Sequence, residues 1–297
     1  MLVGLALMIV SEAGTLARIE PFWSWNTPIA WTGFILFADS VVWRARGDSW
    51  IRSAPREFAL LSAVSIPLWL VFEFYNSRLL NNWYYTGLPE QTALRMFGYA
   101  WSFSTIWPAI FEGAELVAVL RIHLWGAPSG GPVQRKPDAT TFEACPAFSI
   151  LSIAAGTLML AVPFFVSRSL AHDLAAPVWL GFIFLLDPIN ARLGEASLLG
   201  DIASRRYDRL KNLVLSGFLC GVLWEFWNYW SRAKWHYTVP IMEHTKLFEM
   251  PLPGYLGFPA FAIECFCMYV FVRALMVRLK ADATRPAGSG FSRTIAL

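Results

Sequence analysis

The stretch Trp224–Thr238 reads WEFWNYWSRAKWHYT, and an earlier stretch, Phe72–Thr86, reads FEFYNSRLLNNWYYT. Each carries a Glu (Glu73, Glu225), an Asn three residues on (Asn76, Asn228) and a Trp seven further (Trp83, Trp235). Tyr85 and Thr86 close the first; Tyr237 and Thr238 close the second. All five pairs share an offset of 152 residues, and Glu112 falls opposite Glu264 at that same offset. GFILFAD at 33–39 also matches GFIFLLD at 181–187. The chain therefore reads as an internal duplication of about four helices per half, the first helix of each half aligning by hydrophobicity alone.

What kind of helix these are follows from composition. Apolar residues make up 56% of the 297-residue chain and only 15% are charged, against roughly 25% in soluble domains. Mean hydropathy is +0.47. A bilayer span needs about 20 mostly apolar residues. Eight stretches qualify, at roughly 1–19, 28–45, 57–80, 97–122, 148–168, 175–192, 211–231 and 254–279. The expected fold is an all-α integral membrane protein with about eight transmembrane helices in two parallel four-helix repeats. Residues 1–125 form the first repeat and 148–280 the second. Between them a Gly/Pro-rich polar stretch, 126–147, reads as a cytoplasmic linker, and 281–297 as a disordered tail. The first apolar stretch lacks a basic start and contains Glu12, so it reads as a retained helix rather than a signal peptide.

The loops 44–57, 121–147 and 192–211, with the region from Arg273, hold 17 of the 24 basic residues. The positive-inside rule then puts both termini in the cytoplasm and the Trp–x–Tyr–Thr loops outside, in a multi-pass protein of the plasma (inner) membrane. A net charge of +3 is too small and scattered to suggest nucleic acid. Four Cys and four His show neither a disulfide framework nor zinc spacing.

Acids at membrane depth are costly, about 2.5–3.5 kcal/mol each on insertion scales, and so stand as functional candidates. Here they are Glu12, Asp39, Glu73, Glu112, Glu115, Asp187, Glu225 and Glu264. Residues three apart on a helix share a face, so Asn76 and Asn228 are placed to orient Glu73 and Glu225. Burial without a cation favours the neutral acid, a general acid or hydrogen-bond donor. Arg232 is the nearest basic residue to Glu225, on the same face if the helix continues. The competing reading is that Glu–Asn faces bond between helices and fix packing. Asp39 and Asp187 lead into basic loops, where Arg44 or Arg192 would pair with them. Trp83, Trp235, Tyr85 and Tyr237 fit an interfacial aromatic belt. With Trp224 and Trp227 they equally fit the wall of a cavity, whose aromatic faces would stabilise a carbocation.

After Trp235 the chain runs through Tyr237–Thr238, Leu247–Phe248 and Gly257–Phe258–Pro259 to the Glu264 helix. This order resembles two groups of membrane-embedded carotenoid enzymes, the duplicated-helix lycopene cyclases and the bacterial carotenoid hydratases. The resemblance implies proton addition to an isoprenoid double bond, without a cofactor. On it, Glu225 matches the helix acid, Glu264 the acid after the Pro segment, and Tyr237 and Thr238 the loop. The candidate catalytic set is Glu225, Glu73, Glu264, Glu112, Asn228 and Asn76. Trp224, Trp227, Trp235, Tyr237, Trp83 and Tyr85 are the substrate-binding set. The expected partners are a lipophilic small molecule and membrane lipid. The Glu and Asn oxygens would suit Mg²⁺ or Ca²⁺, but no Asp-rich run accompanies them and no metal is expected. Two other classes stay open: a proton- or cation-coupled transporter or channel, and a non-catalytic membrane subunit.

Overall fold

The computed structural model describes residues 1–125, 146–242 and 244–283. The expected linker therefore lies outside the described residues except for its last two positions, which open a helix. Residues 284–297 of the expected tail also lie outside them, while 281–283 continue the last helix.

The chain is mostly helix. In order it forms α1 (Leu2–Leu16), α2 (Phe22–Arg46), the short α3 (Trp50–Ser53) and α4 (Pro55–Tyr75), which ends in a π turn over Asn76–Leu80. The strand β1 (Trp83–Thr86), α5 (Thr92–Ser104) and α6 (Ile106–Trp125) follow. Then come α7 (Pro146–Ala161), α8 (Arg168–His172), α9 (Ala175–Arg192), α10 (Leu198–Ala203) and α11 (Asp208–Trp230). The strands β2 (Lys234–Tyr237), β3 (Lys246–Leu247) and β4 (Met250–Pro251) precede the last helix, α12 (Gly257–Ala283). The expected span at 97–122 is two helices, α5 and α6. Pro108 has no N–H for the Ser104 carbonyl, and the Trp107 N–H goes to Ser65 Oγ instead, at 3.2 Å.

Four helical stretches are long and apolar enough to cross a membrane: Pro55–Leu80, Thr92–His123, Ala147–Phe164 and Leu252–Lys280. The distribution of polarity is compatible with an all-α membrane protein. Leu151, Leu158 and Phe165 are 69%, 63% and 85% exposed, whereas Glu112, Glu225 and Glu264 are fully buried. Water as solvent favours the opposite arrangement.

Matched sequence positions do matched work. α1 packs on α2 and α7 on α9. A Cβ on Gly4 would lie 2.5 Å from the Gly33 carbonyl oxygen, and one on Gly156 would lie 2.7 Å from that of Gly181. Only a bare backbone permits either approach. Asp39 Oδ1 accepts the Ile51 amide at 2.8 Å, and Asp187 accepts those of Leu198 and Leu199 at 2.7 and 2.8 Å. Both acids thus satisfy orphan N–H groups of the short helices α3 and α10. They do not pair with Arg44 or Arg192 as expected; the cation near Asp39 is Arg52, at 3.8 Å. The core lies where α6 and α12 meet α2, α4, α9 and α11, around Trp107, Leu213, Phe261 and Cys265.

Candidate functional site: an aromatic cavity beneath a two-stranded ribbon

Both Glu–Asn faces lie at the ends of their helices, where the chain turns into a strand. Asn76 Nδ2 donates to the Trp83 carbonyl at 2.8 Å, and its Oδ1 accepts the amides of Asn82 and Trp83 at 2.7 and 3.1 Å. Asn228 does the same for Trp235, donating and accepting at 2.9 Å. Each side-chain amide mimics a neighbouring strand and fixes where the chain leaves the helix. This corrects the expectation that the Asn residues orient the carboxylates: they bond backbone, not Glu.

The two strands so placed pair antiparallel, Trp83 with Tyr237, Tyr84 with His236 and Tyr85 with Trp235. Alternation along a strand sends every second side chain to one face. Tyr84 and His236 stack outward, ring centroids 5.3 Å apart. Trp83, Tyr85, Trp235 and Tyr237 turn inward and form one wall of a cavity of about 390 Å³. That volume is within the ~300–1,000 Å³ of small-molecule sites. Trp31 of α2, Trp69 of α4, Trp179 of α9, Trp224 of α11 and Phe261 of α12 complete the aromatic wall. Several of these rings meet edge to face, with Trp69 and Phe261 centroids 5.7 Å apart. Arg95 and Lys234 also border the cavity. Ile241 and Leu256 border it too and are 50% and 69% exposed, so it reaches the surface.

The acids stand behind this wall and do not line it. Glu73 Oε1 accepts Tyr85 Oη at 2.5 Å, Trp69 Nε1 at 2.9 Å and Trp83 Nε1 at 3.2 Å. Glu225 Oε1 accepts Tyr237 Oη at 2.9 Å, and Trp235 Nε1 donates to the same phenol oxygen at 2.9 Å. Glu225 Oε2 is buried with no hydrogen-bond partner. Burial first, then the neighbouring acid, pushes the Tyr85 and Tyr237 phenols well above their ordinary range, so both keep their O–H. What the cavity meets at each acid is therefore a phenol with a carboxyl behind it.

Of the expected binding residues, Trp224, Trp235, Tyr237, Trp83 and Tyr85 line the cavity. Trp227 does not; it is buried against Trp31, centroids 4.8 Å apart. Glu112 and Glu264 are deep in α6 and α12, away from the cavity lining. Arg232 lies beyond the end of α11 and pairs at the surface with Glu20, at 3.4 Å. Glu12 accepts Asn26 Nδ2 at 3.2 Å, and Glu115 pairs with Arg46. Trp31 and Trp179 are lining residues that the motif reading passed over. Their signal was present, because GFI at 33–35 and 181–183 extends upstream to Trp–x–Gly–Phe–Ile in both places. Trp69 and Phe261 have no aromatic counterpart at the matched positions, Gly221 and Ala109, so the repeat does not reveal them.

A second contact system closes the outer side. Glu249, just before β4, takes Lys234 Nζ at 2.9 Å and His236 Nδ1 at 3.1 Å. Burial alone would raise this carboxyl; the Lys234 and His236 bonds outweigh it and hold Glu249 below the usual range. Among the described residues, no group of three His, Cys, Asp or Glu comes together as metal ligands. No family model, curated protein or solved structure matches the chain.

Proposed function

We propose that the chain is a membrane-embedded enzyme that adds a proton to a double bond of a lipophilic, isoprenoid-type molecule, as a cyclase or hydratase does. In this reading it has eight spans in two parallel repeats, with both termini on the cytoplasmic side of the plasma membrane. The carrying observation is the pairing of an apolar, Trp-walled cavity with two phenols that are each bonded to a carboxyl, fully buried at Glu225 and half-buried at Glu73. A proton source beside aromatic faces suits carbocation chemistry. The rings attract the positive charge as it forms, and fixed groups need no reorganisation when it does. The wall is too apolar for a hydrated ion path, which sets the transporter reading behind the enzyme reading.

The two repeats are pseudo-symmetric in what they present. Trp31 and Trp179, Trp83 and Trp235, and Tyr85 and Tyr237 all border one cavity. Parallel repeats meet about an axis along the membrane normal, and two strands lying across such an axis run antiparallel, as β1 and β2 do. A long substrate with two similar ends fits that arrangement.

The test is expression in a bacterial host that accumulates lycopene, followed by chromatography of the pigments. The wild type is expected to give a new pigment. Glu225→Gln keeps the shape but cannot supply a proton, and should lower conversion by about 10²-fold or more, the usual contribution of a positioned acid. Unchanged conversion in a folded Glu225→Gln protein would remove the acid's role.

A further inference from the structure

We propose that the cavity takes an isoprenoid chain bearing an anion, a carboxylate or a phosphate, at one end, and that Arg95 and Thr27 hold that end. This rests on reading the cavity as the substrate site, and it narrows the substrate class.

The ribbon sets the two ends of the cavity. Thr86 pairs with Lys234 at one end of it, and Trp83 pairs with Tyr237 at the other. The chain leaving β1 brings Leu88, Pro89 and Arg95 to the lining at the first end, and the chain leaving β2 brings Val239 and Ile241 at the second. The start of α2 belongs to the first end. There the Arg232 amide, two residues before Lys234, donates to the Trp23 carbonyl at 2.9 Å, and Trp25 packs on Phe97 of α5, ring centroids 5.4 Å apart. The start of α9 belongs to the second end, where Asn82 Nδ2 donates to the His172 carbonyl at 3.0 Å.

The likeness of the two repeats covers the walls and stops at these ends. Trp83 to Glu112 and Trp235 to Glu264 are of equal length, so positions between them match at the offset of 152. Ile106 and Phe258 match in this way, and both line the cavity. Ser102 then matches Gly254, and Arg95 matches Leu247; counted back from Trp31 and Trp179, Thr27 matches Ala175. Ser102, Arg95 and Thr27 all line the cavity. At each of these positions the first end carries a side-chain donor and the second carries none. Asn82, the polar side chain of the second end, has its amide nitrogen on His172 and leaves a buried Oδ1 without a partner. An acceptor cannot hold an anion.

The donors of the first end have capacity to spare. Lys234 is held by Glu249 at 2.9 Å. Arg95 makes two long contacts, 3.5 Å each, to the Pro89 carbonyl and Thr92 Oγ1, and among the described residues it has no ion-pair partner. Thr27 is nine-tenths buried, and its Oγ1 has no hydrogen-bond partner. A buried hydroxyl left unmatched is costly, and a ligand oxygen would match it. The planar guanidinium fits the paired oxygens of a carboxylate or phosphate. From that anchor an apolar chain would run along the Trp walls to the second end, lined by Ala175, Ile241 and Leu256. A hydrocarbon such as lycopene fills the same walls and leaves Arg95 to water. For an arginine at the edge of a span, the competing anion is a bilayer phosphate.

The experiment titrates the full chain in phosphatidylcholine nanodiscs with all-trans-retinoic acid and with all-trans-retinol, two isoprenoid polyenes that differ in the end group. Binding is read as quenching of tryptophan fluorescence, against empty nanodiscs of the same lipid. The pH is about 9, where the ligand carboxyl is ionised. The acid should bind about tenfold or more tighter than the alcohol, the worth of a hydrogen bond between charged groups. Arg95→Gln should bring the acid down to the alcohol. Arg95→Lys, which keeps the charge and loses the fork, should keep part of the preference, and it gives the answer if the Gln variant does not fold. Lys234→Gln should keep the preference, because Lys234 serves Glu249. Equal affinities in the wild type overturn the proposal, as does a preference lost with Lys234→Gln. So does an acid affinity unchanged by Arg95→Gln, the result expected of an arginine that serves bilayer phosphate. Equal affinities beside conversion of lycopene sink the end site alone. The acid preference in a protein that leaves lycopene untouched upholds the end site and counts against proton transfer to a polyene.

Discussion

At the scale of single residues, the informative pairs are those whose duties the motif did not disclose. Asn76 and Asn228 share a helix face with an acid, yet they hold the strand exits. Spacing of three says that two side chains lie on one face; it does not say which neighbour an amide will bond seven residues on, past the helix end. Asn76→Ala and Asn228→Ala each leave buried amide and carbonyl groups of the strand unpaired. We expect a loss of about 1–3 kcal/mol per site, read as lowered thermal stability in detergent. Asn→Asp at either site should be milder than Ala, since it keeps the acceptor. A variant as stable as the wild type would show that the clamp is not what fixes the ribbon. The acids themselves were legible, because a Glu in an apolar run stands out. That they sit behind tyrosines was not, because it depends on the pairing of two strands about 150 residues apart.

At the scale of elements, helix positions could be read from hydropathy and their contacts could not. The run at 97–122 looked continuous because hydropathy does not register a missing amide; Pro108 divides it, and Ser65, from another helix, takes up the Trp107 N–H. The crossings of α1 on α2 and α7 on α9 depend on Gly4 and Gly156, which carry no hydropathy signal. Gly156→Val would press a side chain onto the α9 backbone, where even a Cβ would fall 2.4 Å from the Leu185 amide nitrogen. We expect about 1–3 kcal/mol of destabilisation from overpacking, measured as a lower melting temperature. An unshifted melt would mean that the crossing is loose. The outer segment around β3 and β4 has a pH dependence of definite sign. Glu249 is held below the usual carboxylate range by Lys234 and His236. Its contribution should be fully present above the ordinary Glu value of about 4.3 and fade as pH falls through the lowered one. Hydrogen exchange of residues 244–252 should quicken at that acid end in the wild type. Glu249→Gln should exchange quickly already at pH 7, and equal protection in the two proteins would refute the tether.

At the scale of the whole molecule, buried acids and exposed apolar helix faces surround one aromatic cavity spanned by the β1–β2 ribbon. Sidedness is the part that rests on loop charges alone. A cysteine at Tyr84, which is half exposed, should react with an impermeant thiol reagent added outside intact cells. One at Asp48 should react only after lysis, and the reverse pattern would invert the topology. The central claim is that the phenols facing the cavity, backed by their acids, carry out proton transfer on a polyene. The most direct measurement compares pigment conversion by the wild type, Tyr237→Phe and Tyr85→Phe in lycopene-accumulating cells, normalised to folded protein. Removing one oxygen atom barely alters the wall but cuts the hydroxyl link between each acid and the cavity. The wild type should give a new pigment, and conversion should fall by about 10²-fold or more with each variant. No new pigment from the folded wild type, or wild-type conversion by both variants, would contradict it.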